Sequence, residues 1–382
     1  MPNTRKQKSI FIIAGEVSGD VLGAEIMSQM PDVCFVGVGG ENMTKQGLKS
    51  IFPMYDLSVM GIIEVLAHAK TLTKRINQTV NEIIKQRPDV VLTIDSPGFA
   101  KSVVNKLKKT DSGKLLIKNG LKFQHVVAPQ VWAWRPKRAK KYSKIFDRLY
   151  AFFDFELPYF TKYGLDVVAV GHPVSDKIMG KYKNKIDNSE KKLITLIPGS
   201  RMNEIKKIMP LYCDFLSEII KNENVADYKF AVPVLENTRE YIENFVKQYF
   251  PVDVELIDSI NRYDLYEKTY IAIAASGTVS AELAMMHVPA IIVYKMNFIT
   301  TIIARLLINV KWVSLVNILL NQMIYPELLG NNVSGVKIYD EFIKLKDNKI
   351  RDLMIKNLRS ADKLWRPDNK SVAKRIANKI FL

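Results

Sequence analysis

SIFIIAGEVSGD, residues Ser9–Asp20, joins six strand-forming residues to a glycine-flanked polar loop, and apolar residues at helical spacing follow at Leu22, Ile26 and Met30. Strand, tight loop and amphipathic helix in that order make the first half of a βαβ unit. The same grammar recurs outward from it. Strands are expected at Ser9–Ala14, Val33–Val38, Val90–Ile94, Val126–Ala128 and Arg148–Phe152, with Val80, Ile83 and Ile84 marking a second helix face. After Gly171-His172-Pro173-Val174 and a Lys-rich segment to Lys192, a second series is expected at Leu193–Ile197, Tyr228–Val232, Ile271–Ala274 and Ala290–Val293. Short β-branched runs alternating with helices imply parallel sheets covered on both faces. The expected fold is therefore α/β: two tandem Rossmann-like, doubly wound domains facing a cleft, 1–175 and 176–354, with the helix-forming stretch 355–382 free to return to the first. Ligands of such folds sit at the carboxyl ends of the strands, so the chemistry belongs on the loops that follow them.

A length of 382 residues agrees with two cores, and 48% hydrophobic with 25% charged residues describes a globular chain. The net charge of +17 suits polyanions: nucleic acid, anionic lipid or phosphorylated substrates. Two distant cysteines, Cys34 and Cys213, give no disulfide framework, and a reducing compartment fits. The apolar run Ile10–Ala14 is too short for a signal peptide, and no uncharged stretch reaches 18 apolar residues, so neither export nor a membrane span is expected. His68, His125, His172 and His287 lack ligand spacing and no Asp-x-Asp pair occurs, so neither a metal nor another cofactor is expected.

The loop Gly15–Asp20 opens a helix, where backbone N–H groups and the helix dipole suit a phosphate or a hydroxyl-rich ligand, with Ser18 and Asp20 as candidate contacts. It serves equally as a tight turn, and it is not GxGxxG; a second glycine loop, Gly37–Gly40, stands where a dinucleotide-binding domain tends to place a ribose-binding acid. Asp95 ends a hydrophobic strand and precedes Ser96-Pro97-Gly98. It is the candidate general base, able to take the proton of a sugar hydroxyl, or else a turn cap. In Ala128–Arg135 two tryptophans, Gln130 and Arg135 crowd a strand end before the basic run Lys137–Lys144. Aromatic faces and amides there suit a sugar better than a nucleic acid, which is not expected as a partner; a core cluster is the alternative.

In the second half Pro198-Gly199-Ser200-Arg201 with Glu204 follows a strand, and Arg201 has the geometry to grip a diphosphate. Ser276, Gly277 and Thr278 sit at another strand end, with Glu282 one helical turn on to accept ribose hydroxyls. Ordinary helix capping explains each of these taken alone. Leu57–Ala69, with Ile62, Ile63 and Leu66, and Phe298–Leu320 are apolar enough to bury in an anionic membrane surface or in a core.

Taken in order, GEVSGD (Gly15–Asp20), GVGGENM (Gly37–Met43), DSPGF (Asp95–Phe99), PQVWAWR (Pro129–Arg135), GHPV (Gly171–Val174), PGSR (Pro198–Arg201), SGTVSAE (Ser276–Glu282) and SLVN (Ser314–Asn317) make the chain resemble the lipid-A-disaccharide synthase family along most of its length. The resemblance implies a GT-B type fold. It also implies inverting transfer of 2,3-diacylglucosamine from UDP-2,3-diacylglucosamine to the 6-hydroxyl of 2,3-diacylglucosamine 1-phosphate, as a peripheral enzyme on the cytoplasmic face of the inner membrane. By the same resemblance the first domain takes the acceptor and the second the UDP-sugar, and Asp95, Arg201 and Asn317 match positions the family needs. Ala100 departs from the family, which often has Asn there, and Phe152–Glu156 replaces a common Pro-Phe-Glu. Competing readings are a peptidoglycan-type transferase, a UDP-sugar epimerase, and a basic RNA- or membrane-binding module.

Overall fold

In the computed structural model, residues 7–57, 69–182, 191–295, 311–331 and 333–382 are described. They form twelve strands in two six-stranded sheets. The first contains β1 (Ser9–Ala14), β2 (Cys34–Val38), β3 (Val90–Ile94), β4 (Lys122–Val126), β5 (Arg148–Ala151) and β6 (Asp166–Ala169), in the order β2-β1-β3-β4-β5-β6. The second contains β7 (Lys192–Ile197), β8 (Tyr228–Val234), β9 (Glu255–Asp258), β10 (Thr269–Ala275), β11 (Ala290–Tyr294) and β12 (Glu327–Leu329), in the order β12-β11-β10-β7-β8-β9. Every pairing between these strands is parallel.

Helices follow the strands, so central strands are buried on both faces and carry continuous apolar runs. All of β3 and all of β10 are buried. Each fully enclosed aliphatic side chain, such as Ile12 or Ile273, stabilises by about 1.5–3 kcal/mol. Contacts divide the chain into Met1–Pro173 with Asp368–Leu382, and Val174–Pro367. The C-terminal segment joins the first unit by packing Val372, Ala373, Ile376 and Ile380 into its core. Polar contacts add to that packing: Gln124 Nε2 donates to the Ile380 carbonyl at 2.8 Å, and Arg375 donates to the Val170 carbonyl.

The structure differs from the sequence reading at four strands. The strand expected at Val126–Ala128 is instead Lys122–Val126, because the polar residues Gln124 and His125 are buried inside it and find partners there. Tyr150 OH donates to Gln124 Oε1 at 2.8 Å, and the His125 ring nitrogen Nδ1 lies 2.7 Å from the Thr93 hydroxyl. Val127 then leaves the strand at φ +77°, which is costly for a β-branched residue. The unexpected β6, β9 and β12 are all edge strands of three or four residues, with weak apolar patterns.

In each sheet the order reverses at one place: between β1 and β3, and between β7 and β10. At such a reversal neighbouring loops leave on opposite faces and open a crevice beyond the strand ends.

Candidate active site

The first reversal brings Gly15–Asp20 beside Asp95–Gly98. Ala14 pairs with Ile94, so the residues that follow depart side by side. The approach is close enough that a Cβ on Gly15 would lie 2.1 Å from Ser96 Oγ, which explains the glycine. Asp95 and Ser96 both adopt left-handed backbone, φ +55° and +45°, ahead of Pro97. Such conformations cost about 1–3 kcal/mol each and persist only where neighbours hold them. Here Asp95 N–H donates to the Val126 carbonyl at 3.1 Å, and Ser96 N–H donates to Asp95 Oδ1 at 2.8 Å. Among the described residues nothing bonds Asp95 Oδ2, and the side chain is half-buried.

Glu16, which the sequence reading did not select, stands next to this carboxylate. Burial, and then the charge of Asp95, push its carboxyl above the usual range. Ser18 is exposed in the first turn of the helix Val17–Ser28.

Asp20 requires a correction. It is 2% exposed, and both oxygens are filled: Oδ1 accepts from Gly40 N–H (2.8 Å) and Met43 N–H (3.0 Å), Oδ2 from Asn42 N–H and Nδ2 (2.9 Å each). Burial opposes ionisation, but these bonds outweigh it and hold the carboxyl below its ordinary value. Asp20 therefore locks the first glycine loop to the second and to the helix Glu41–Lys45, with no acceptor left for a ligand.

The loop after β4 leaves beside Asp95, since Ile94 and Val126 are in register. Its Trp132 is buried and donates through Nε1 to Glu156 Oε1 at 3.2 Å, while Glu156 Oε2 accepts Phe152 N–H (3.0 Å) and Phe153 N–H (3.1 Å). Glu156 is 5% exposed, and burial pushes its carboxyl up to about 7 against those three bonds. His172 of the GHPV motif packs on the same segment, its ring centroid 5.2 Å from Phe152 and 5.9 Å from Phe153. Burial lowers its pKa to about 4, so the ring is neutral near pH 7. Gln130 is exposed at the loop tip.

The second reversal sets Pro198–Arg201 against Ser276–Thr278. Gly199 (φ +100°) turns the chain into the 21-residue helix Met202–Asn222, and Gly277 (φ +152°) precedes the helix Thr278–Met285. Ser200, Arg201, Glu204, Ser276, Thr278 and Glu282 line one cavity of about 370 Å³. The positive ends of two helix dipoles and a guanidinium meet there, which is an anion seat. The hydroxyls of Ser200, Ser276 and Thr278 make no hydrogen bond among the described residues. Arg201 Nη1 is 3.2 Å from Glu204 Oε1, an exposed pair that contributes about 0–1 kcal/mol, so the guanidinium is free to turn toward an anion.

Glu282 is 7% exposed and more committed than expected: Arg262 Nε donates to Oε2, and Arg262 Nη2 and Tyr263 OH donate to Oε1, each at 3.1 Å. Burial, then the charge of Glu282, raise the Tyr263 hydroxyl to about 12. Arg262 lines the same cavity. No motif pointed to it, because it lies 20 residues before its partner.

Asn317 also requires a correction. It is fully buried; Nδ2 donates to the Tyr325 carbonyl (2.8 Å) and Glu327 Oε1 (2.9 Å), while Oδ1 accepts Ile324 N–H (2.8 Å) and Tyr325 N–H (2.9 Å). All four positions are filled, so Asn317 pins the helix Leu315–Leu320 to β12 and keeps no hydrogen-bonding position open for a ligand. Ile62, Ile63 and Leu66 lie outside the described residues, as does most of the apolar stretch from Phe298. Among the described residues no helix is long and apolar enough to cross a membrane, and no group of three His, Cys, Asp or Glu is placed to hold a metal ion.

This pair of sheets is shared with solved structures at low identity. A UDP-GlcNAc 2-epimerase from Neisseria meningitidis bound to UDP-GlcNAc is 14% identical (TM-score 0.58, covering 98% of this chain and 99% of that one). The MurG structure from Acinetobacter baumannii is 12% identical (TM-score 0.59, the same two coverages). A kitacinnamycin glycosyltransferase is 11% identical with a TM-score of 0.65, again with coverages of 98% and 99%. The fold is thus the two-domain, Rossmann-like GT-B architecture. Sequence relatives narrow the class. A lipid-A-disaccharide synthase from Rhodospirillum centenum is 38% identical over 332 residues, 84% of this chain and 80% of the relative. One from Rickettsia conorii is 37% identical over 380 residues, 93% and 80%. The lipid-A-disaccharide synthetase family model matches residues 10–378. The chain belongs to the lipid-A-disaccharide synthase family and is a glycosyltransferase of lipid A biosynthesis.

Proposed function

We propose that the enzyme transfers 2,3-diacylglucosamine from UDP-2,3-diacylglucosamine to the 6-hydroxyl of 2,3-diacylglucosamine 1-phosphate, with inversion and release of UDP. The observation that carries this reading is the cavity at the second reversal, where Arg201 and two helix N-termini form a seat suited to a diphosphate. The bound UDP-GlcNAc named for the similar Neisseria fold supports a UDP-sugar as donor. Ser200, Ser276, Gly277 and Thr278 give N–H and O–H donors to the diphosphate, Glu204 releases Arg201 to it, and Glu282, braced by Arg262, faces the ribose.

In the transfer step, Asp95 Oδ2 accepts the proton of the 6-hydroxyl as that oxygen bonds to the anomeric carbon. The bond from that carbon to the diphosphate breaks on the opposite face, and UDP leaves with the electron pair. Arg201 and the helix N-termini offset its charge. Glu16, Ser18 and Gln130 hold acceptor hydroxyls. The acyl chains remain in the cytoplasmic face of the inner membrane, where the +17 charge favours an anionic surface and the enzyme binds peripherally.

The test is incubation of purified enzyme with both acylated substrates. A β-linked disaccharide and one UDP per linkage are expected. No disaccharide, with transfer to an undecaprenyl-linked acceptor or epimerisation of UDP-GlcNAc instead, overturns the reading.

A further inference from the structure

We propose that Trp134, Arg135 and Arg138 form a subsite for a phosphate monoester, the 1-phosphate of the acceptor sugar; this rests on the transfer reaction proposed above. The two indoles of the loop after β4 differ. Trp132 Nε1 is satisfied by Glu156, whereas Trp134 Nε1 is shielded from solvent and has no partner among the described residues. Arg138 Nε is shielded and unpartnered in the same way. Both guanidiniums lie against the Trp134 ring, Arg135 Cζ at 4.5 Å and Arg138 Cζ at 5.1 Å from its centroid. Neither arginine side chain makes an ion pair or hydrogen bond among the described residues.

Two features of this cluster ask for the same complement. Trp134 Nε1 and the guanidinium groups are donors with no acceptor capacity. Two shielded donors without acceptors are unfavourable, and two like charges share one ring with no counter-ion. Arg135 is moreover held at φ +52°, a cost retained only where surroundings impose it. A phosphate monoester, with three acceptor oxygens and a charge of roughly −2, answers both the open donors and the like charges, and guanidinium forks match its geometry.

Placement agrees with chemistry. The loop departs from the end of β4, whose last carbonyl, Val126, accepts the Asp95 N–H. The loop that carries the cluster and the turn that carries the candidate base thus leave the carboxyl ends of neighbouring strands. The diphosphate seat lies in the other unit, on Arg201 and two helix N-termini, so this second anion site is left for the acceptor.

The experiment compares wild type, Arg138→Met and Trp134→Phe on acceptors with and without the 1-phosphate. Trp134→Phe keeps an aromatic face for the two guanidiniums and removes the indole N–H together with its five-membered ring. The expected result is a KM for the phosphorylated acceptor raised about 10- to 100-fold in Arg138→Met and about 10-fold in Trp134→Phe, since both lose charge-assisted hydrogen bonds to the phosphate and the first also loses a charge. kcat should stay within about 3-fold, KM for the unphosphorylated acceptor should be unchanged, and an unchanged urea-unfolding profile should confirm the fold. Variants that discriminate between the two acceptors as strongly as wild type overturn the proposal.

Calorimetry with glucosamine 1-phosphate reads the site without turnover: about 10-fold weaker binding by Arg138→Met supports it even where no disaccharide forms, and equal binding overturns it. Sedimentation with phosphatidylglycerol vesicles separates the other phosphate source. Equal binding of wild type and Arg138→Met is expected, and loss of vesicle binding with unchanged acceptor discrimination reassigns the cluster to lipid headgroups and overturns the proposal.

Discussion

Replacing Glu156 by Gln should flatten the pH dependence of stability between pH 5 and 8. The carboxyl is 5% exposed and raised to about 7, chiefly by burial, while an unfolded chain releases that proton near 4.5. The folded protein therefore holds more protons than the unfolded chain between those values, and stability falls as pH rises. The contribution is complete below about 4.5 and is lost as pH passes through about 7. At about 1.4 kcal/mol per unit the full effect is roughly 3 kcal/mol, of which about 2.5 kcal/mol falls between pH 5 and 8. Gln removes this titration at every pH. It also turns one N–H group toward either Trp132 Nε1 or the Phe152 and Phe153 N–H groups, a fixed cost of about 1–2 kcal/mol.

His125 and His172, lowered by burial to about 3 and about 4, give the opposite slope, since they lose stability as pH falls. They are present in both proteins and cancel in the difference. The assay is urea unfolding followed by tryptophan fluorescence at pH 5, 6, 7 and 8. Wild type should lose about 2.5 kcal/mol relative to the variant across that range. Parallel curves, separated by one constant offset, refute the burial of an ionising carboxyl beneath the Trp132 loop.

Asp95→Asn should lower kcat about 10²- to 10⁴-fold while calorimetric UDP affinity stays unchanged, because it removes the proton acceptor and leaves the second sheet untouched. Arg262→Met should weaken UDP binding about 10-fold and lower stability by about 2 kcal/mol, since Glu282 loses two of the three bonds that brace it; unchanged affinity by calorimetry separates Glu282 from the ribose. Asn317→Ala should cost about 3 kcal/mol by urea unfolding and keep KM for the donor within about 3-fold at 15 °C; a KM effect without loss of stability restores Asn317 as a ligand contact.

The central strands were legible because both of their faces are buried. β1, β3, β7, β10 and β11 read as apolar runs, and the structure places them within two residues of expectation. β6, β9 and β12 were not, since an edge strand needs only a few half-buried residues and borrows its pairing from a neighbour. β4 was shifted because its buried Gln124 and His125 find partners on Ile380, Tyr150 and Thr93, up to 256 residues away. The loops after strands were legible as candidate sites from their glycines and the helices they open. The partners that set the character of individual side chains, Arg262 for Glu282, Glu156 for Trp132 and Glu16 for Asp95, were not, because each depends on which strands become neighbours.

That dependence also explains why a polar residue in a motif had two readings. Asp20 and Asn317 lie in segments as suggestive as that of Asp95, yet each has all its hydrogen-bonding positions filled by the chain itself. They shape loops. Asp95 keeps Oδ2 open and sits on strained backbone at the β1–β3 reversal, while Arg138 and Trp134 keep donors open at the neighbouring strand end. A buried donor without an acceptor, or a left-handed residue ahead of proline, is unfavourable for the free protein and persists only where folding leaves no alternative arrangement. Both conditions occur on segments that leave the carboxyl ends of the neighbouring strands β3 and β4. Open hydrogen-bonding capacity, rather than membership of a motif, is therefore the ground on which Asp95, Trp134 and Arg138 are proposed to meet substrate, and filled capacity the ground on which Asp20 and Asn317 are read as shaping loops.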